Sequence, residues 1–158
     1  MCLCCFVPLD LHLAQRDKDT EGQRERKVKT YRDLIVWQKA MVLVTEIYKV
    51  SKSFPRREDY GLTSQLRRCA VSIPSNIAEG YGRHSRNEYV RFLQIASGSL
   101  YELQTQMEIS ANLEYLKKDD FERLYEMTRE IERMLSSLIR RLKEGSGKVA
   151  EAHRDKGT

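Results

Sequence analysis

From Leu34 to Leu142 the apolar residues step by three and four almost without a break. That step places side chains on one face of an α-helix, and with 3 Pro and 8 Gly in 158 residues the chain holds few helix stops. The first run follows Leu34, Trp37, Met41, Val44 and Tyr48 and ends near Phe54-Pro55. The second, from about Leu62 to Glu79, carries Leu62, Leu66, Cys69, Ile73 and Ile77 across Pro74. The third opens on Ser85-Arg86-Asn87-Glu88, the spacing of a capping box, and follows Tyr89, Leu93, Ala96, Leu100, Leu103 and Met107. The fourth is expected to start at Asp119 or Asp120, to follow Phe121, Leu124, Ile131, Leu135, Leu138 and Leu142, and to stop at Gly145 and Gly147.

Runs of about 20–25 residues span about 30–38 Å. Joined by short turns, they must lie antiparallel to their neighbours. The expectation is an all-α, antiparallel up-down-up-down four-helix bundle over residues 31–144. Pro74 lacks an amide proton and its ring crowds the carbonyl of Ala70, so helix two is expected to kink there.

A single domain of this size buries a core without staples. Cys2, Cys4 and Cys5 crowd the N-terminus and Cys69 stands alone in an apolar stretch. Neither paired zinc ligands nor a disulfide framework results, so the chain reads as cytoplasmic, with no metal or cofactor. Residues 1–13 lack the basic start of a signal peptide, and Asp10 and His12 interrupt their apolar run. Residues 14–30 carry mixed charges and almost no apolar side chains, so residues 1–30 are expected to be a disordered extension, as are residues 145–158 at the other end. No membrane attachment is expected.

Helix one is apolar around most of its girth. Ala40, Ile47 and Phe54 form a second line, Val36, Leu43 and Val50 a third, and Ile35 and Val42 a fourth. Three neighbours can cover only part of so wide a surface; long loops or the N-terminal tail could cover the remainder, but another subunit on this helix is the preferred expectation, with Val36, Leu43 and Val50 as candidate interface residues. In helix three the small residues Ala96-Ser97-Gly98-Ser99 suggest the close approach of another helix at Gly98. On helix four, Glu126 with Arg129 and Glu130 with Arg133 are spaced as surface pairs.

The segment SIPSNIAEGYGR at 72–83 gathers polar residues around the proline. They either line a site or serve the fold, and the second reading is preferred because buried polar groups need partners. On it Ser72, Ser75 and Asn76 satisfy backbone groups freed by the kink, while Glu79 makes a buried hydrogen bond. No nucleophile elbow, P-loop or dinucleotide fingerprint occurs. His12, His84 and His153 fall in tails or a turn, so no enzymatic role or small-molecule substrate is expected.

The net charge is +5 at a pI near 9.0. Residues 56–91 hold Arg56, Arg57, Arg67, Arg68, Arg83, Arg86 and Arg91, whereas residues 92–116 hold no Lys or Arg and leave Glu102, Glu108 and Glu114 unpaired in sequence. One end of the bundle should therefore be positive. Arginine suits phosphate through its planar fork, which makes Arg67, Arg68, Arg83, Arg86 and Arg91 candidate nucleic-acid contacts. Gly80-Tyr81-Gly82 also suits a helix-turn-helix, but helices this committed to a bundle leave little of helix three free to enter a groove.

The segments YRDLIVWQKAM (31–41), FPRREDYGLTSQLRRCAVSIPSNIAEGYGR (54–83) and NEYVRFLQIASGSLYELQTQ (87–106), with the last amphipathic helix, resemble the bacterial 23S rRNA-intervening-sequence proteins over about residues 30–143. Pro74, Asn76, Glu79 and Gly80 belong to the signature, and the first 29 residues depart from it. The resemblance implies a left-handed bundle, a homopentamer and no catalytic residues. A related branch serves diversity-generating retroelements, binding reverse transcriptase and nucleic acid. The expected function is an oligomeric adaptor for RNA or a ribonucleoprotein. The alternative is a protein scaffold in which the arginines pair with Glu102, Glu108 or Glu114 of a neighbouring copy.

Overall fold

A computed structural model describes residues 28–83 and 85–154, with side chains through Glu144. The expectations for residues 1–27, for His84 and for residues 155–158 lie outside the described residues. The described chain is helical throughout, with no strand. Its long elements are α1 (Ile35–Val50), α2 (Leu62–Tyr81), α3 (Arg86–Asn112) and α4 (Lys118–Arg154). The packed neighbours are α1 with α2, α2 with α3, α3 with α4 and α4 with α1, which makes a four-helix bundle.

A short 3-10 turn, Tyr31–Asp33, leads into α1. Thr30 Oγ1 accepts from the Arg32 amide at 3.2 Å and Asp33 Oδ2 accepts from the Lys29 and Thr30 amides at 2.9 Å each. These backbone donors hold the Asp33 carboxyl below its ordinary range. A capping box thus forms here. The box expected at Ser85 does not: Ser85 is the N-cap of α3, but its side chain makes no capping bond.

The core joins Ala40, Leu43 and Ile47 of α1 to Leu66, Ala70, Ile73 and Ile77 of α2, Leu93, Leu100, Leu103 and Met107 of α3, and Leu124, Ile131 and Leu135 of α4. The lines expected for α2, α3 and α4 run through this core. The line expected for α1 does not, because Met41 and Tyr48 are exposed and the inward line is Val36, Ala40, Leu43 and Ile47. Adjacent lines on so apolar a helix have the same spacing, and one residue turns the face by about 100°.

This rotation also corrects the interface assignment. Val36 and Leu43 are buried in the chain's own core and Val50 packs against it, so the apolar surface left outward on α1 is Ile35, Met41, Val42 and Tyr48.

Other expectations shift with the packing. A Cβ built on Gly98 meets nothing within 4 Å, so no helix approaches there; the tight crossing is at Gly80 instead. Glu130 bonds Lys39 of α1 at 2.9 Å rather than Arg133, and Arg129 lies 3.9 Å from Glu132. Helix α4 begins at Lys118, with Asp119 and Asp120 in its first turn, where carboxylates oppose the helix dipole. It runs on through Gly145 and Gly147 to Arg154. Mid-helix glycine costs only about 1 kcal/mol, and the strong helix formers Glu144 and Lys148 stand on either side of Gly145-Ser146-Gly147.

The α3–α4 turn has a backbone of its own. Glu114 has φ 58°, in the left-handed region, and the Tyr115 and Leu116 amides both donate to the Ser110 carbonyl, at 2.9 and 3.1 Å. This is the closing pattern of a helix end that glycine usually supplies. The turn meets the α1–α2 connection, where the Phe54 and Tyr115 rings lie 5.9 Å apart and Arg57 Nη2 donates to the Tyr115 hydroxyl at 2.9 Å.

Candidate nucleic-acid interface

The segment around Pro74 serves the fold. Pro74 is buried inside α2, which continues through it. Ser75 Oγ donates to the Val71 carbonyl at 2.8 Å, and Asn76 Nδ2 donates to the Ser72 carbonyl at 2.8 Å and to Ser72 Oγ at 2.9 Å. The carbonyl that proline deprives of a donor is that of Ala70, so these side chains serve the next two carbonyls along the helix, Val71 and Ser72, instead. Ser72 Oγ also bonds Ser99 Oγ of α3 at 2.8 Å. Glu79 departs from expectation: it is exposed and pairs with Arg83 one turn on. Its neighbour in sequence, Gly80, faces α3, whereas the direction of Glu79 is outward.

The candidate arginines divide into two groups. Arg67 is half-buried, its guanidinium 5.0 Å from the Tyr48 ring centre, with Nε donating to Ser51 Oγ at 2.8 Å. Arg68 Nη2 donates to Gln65 at 2.9 Å. Both stand in the first half of α2. Arg83 follows the end of that helix, with its guanidinium 4.9 Å from the Phe92 ring centre, and Arg86 and Arg91 are exposed on the start of α3. Fourteen residues of helix carry the chain from Arg67 to Tyr81, about 21 Å, and Arg83 lies two residues further on, so the five do not form one patch. Neighbours in sequence fell at opposite ends of one long helix.

The group at Arg83, Arg86 and Arg91 gains company that sequence reasoning missed. Gln94, Ser97, Gly98 and Tyr101 of α3 share a groove with Ser136, Ile139, Arg140, Lys143 and Glu144 of α4. The exposed cations Arg140 and Lys143 of α4 therefore lie beside the first half of α3, whereas Arg141 lines a groove with α1. The signal was present as RRLK at 140–143, but nothing in the chain order tied that run to residues 83–91.

Elsewhere the charges hold helices together. Arg123 bridges α4 to α1 through Glu46 at 2.7 Å and also reaches Asp120 at 3.2 Å, while Lys49 reaches Glu46 at 2.7 Å. The Lys49 and Arg123 hydrogen bonds hold the Glu46 carboxyl below its ordinary value. Cys69 Sγ donates to Glu102 at 3.1 Å, which gives Glu102 a partner inside the chain. Burial, then this bond, push its thiol up to about 11, so it is a poor nucleophile at neutral pH. Among the described residues no group of three or more His, Cys, Asp or Glu could hold a metal ion, and no helix is long and apolar enough to cross a membrane.

The family model for 23S rRNA-intervening sequence proteins matches residues 32–137. The chain belongs to that family. Among solved structures, one of an S23 ribosomal protein family member of unknown function from Bacteroides thetaiotaomicron is similar at 24% identity. The match covers 66% of this chain and 98% of that one, with a TM-score of 0.63. This likeness shows the fold alone. No curated protein matches the chain.

Proposed function

We propose that this chain is a non-enzymatic, oligomeric adaptor of the cytoplasm that binds RNA, alone or within a ribonucleoprotein such as a reverse transcriptase complex. The observation that carries the reading is the set of exposed cations Arg86 and Arg91 on the start of α3 and Arg140 and Lys143 on the end of α4, the last two in one groove with α3. Such a basic surface attracts a phosphate backbone.

The adaptor is an up-down-up-down bundle, left-handed and kinked at Pro74. Support for the path comes from cross-helix pairs that rise on one helix as they fall on the next: Cys69 with Gln106 and Ser72 with Ser99, then Gln104 with Thr128 and Tyr101 with Glu132. The contact between the α1–α2 and α3–α4 connections supports it as well. On this path the start of α3 and the end of α4 share one pole. Copies assemble as a homopentamer, multiplying that pole; outward Ile35 and Val42 on α1 are the apolar residues that such an assembly covers.

Fluorescence anisotropy with a labelled structured RNA tests the reading. Affinity falls steeply with added salt, and Arg86→Ala with Arg91→Ala weakens it about tenfold or more, whereas Arg68→Ala, at the far end of α2, has little effect. Absent or salt-independent binding overturns it. In the scaffold reading the same arginines join neighbouring copies, and their removal lowers the mass measured by light scattering while RNA plays no part.

A further inference from the structure

Glycine is a poor residue for the middle of a helix, yet Gly98 lies mid-α3 with nothing within 4 Å of a built Cβ. Packing does not demand it. It opens the floor of a groove of about 560 Å³ between α3 and α4, whose walls include Gln94, Ser97, Tyr101, Ser136, Arg140 and Lys143. That volume suits a small polar ligand or one or two units of a polymer. Packed helices lie about 8–10 Å apart, axis to axis, so the cleft between them is too narrow for a nucleic-acid duplex.

The charges around the groove favour an anion. Arg91 is exposed one turn before Gln94 on α3, next to but outside the residues that line the groove. A depression lined by α4 alone shares Ser136 and Arg140 and carries on past Arg133 to Glu132 and Arg129. Among the described residues Arg91, Arg133 and Lys143 are exposed and have no acidic partner within 4.0 Å. Two acids lie beside these cations: Glu144, which lines the groove 3.9 Å from Arg140, and Glu132, which accepts from the Tyr101 hydroxyl at 3.5 Å and lies 3.9 Å from Arg129. Tyr101 is 50% exposed, a large aromatic surface left open beside the glycine notch.

We propose that this groove seats a single strand of RNA, its phosphates along Arg133, Arg140, Lys143 and Arg91 and one base against Tyr101 over Gly98. The proposal rests on the RNA-binding reading and narrows it to unpaired RNA. Guanidinium groups take phosphate oxygens in pairs, and an exposed aromatic ring stacks any base, which gives strand binding with little sequence preference.

The test uses the full chain with two fluorescent probes, a short uridine-rich single strand and a blunt RNA duplex of equal length. The single strand binds more tightly. Gly98→Leu fills the notch without changing charge and weakens strand binding about tenfold; Tyr101→Ala does the same, and Tyr101→Phe retains affinity because the ring is kept. Circular dichroism confirms folding, and if Gly98→Leu does not fold, the Tyr101 pair decides alone. Salt-dependent RNA binding that ignores these variants, or that prefers duplex, overturns the groove and leaves the adaptor reading standing. No salt-dependent binding of either probe or of structured RNA overturns both.

Discussion

Gly80 and Phe92 meet so closely across the α2–α3 crossing that a Cβ built on Gly80 would lie 2.7 Å from the Phe92 Cβ, and 2.9 Å from Tyr89 Cδ2. One helix face thus approaches another through the absence of a side chain. Gly80→Ala is expected to cost about 1–3 kcal/mol by overpacking. Gly98→Ala, with open space around it, is expected to stabilise by about 1 kcal/mol through helix propensity. Urea denaturation of the pair measures the opposite signs; a stabilising Gly80→Ala would refute the close crossing.

Asn76→Ala removes bonds to the Ser72 carbonyl and hydroxyl at a half-buried position and is expected to cost about 1 kcal/mol. Glu79→Ala breaks only an exposed pair with Arg83 and is expected to change stability by less than about 0.5 kcal/mol. Thermal unfolding of both variants checks this order.

Glu114 pays for closing α3 with a left-handed backbone, φ 58°. Glu114→Gly relieves about 1 kcal/mol of strain, and the gain should appear as a raised urea midpoint. An unchanged midpoint would mean that the turn holds Glu114 without strain.

Acid should weaken the α1–α4 contact. The folded-state Glu46 carboxyl is depressed by its bonds to Lys49 and Arg123, so its contribution is present above the ordinary value of 4.5 and is lost as pH falls through the folded value. Glu46→Gln is expected to cost about 1 kcal/mol at neutral pH and to make the acid limb of a stability–pH curve shallower.

Alkali should act through Cys69. Its thiol is raised from 9.0 to about 11 in the fold, so above pH 9 the unfolded chain loses the proton first, and stability falls as pH rises from 9 toward 11. Cys69→Ala is expected to flatten that part of the curve. Tyr89, raised by burial to about 12, contributes a later fall that the variant leaves in place.

The helices were legible because a step of three and four is a property of one helix, readable without its neighbours. Around Pro74 the local bonding of Ser75 and Asn76 to carbonyls four residues back was legible for the same reason, but the outward direction of Glu79 was not. The expected α1 line, the closeness at Gly98 and the single arginine patch all failed for the same reason: each asked what another helix does.

The order of apolar residues by itself determined that this chain forms four long helices with buried faces, because hydrophobic burial and helix geometry act within each segment. Only the tertiary structure decided which line of α1 turns inward, that Gly80 rather than Gly98 lets helices touch, and that Arg140 and Lys143 sit beside the first half of α3. These depend on how helices pack side by side, a relation between different helices that spacing within one helix does not encode.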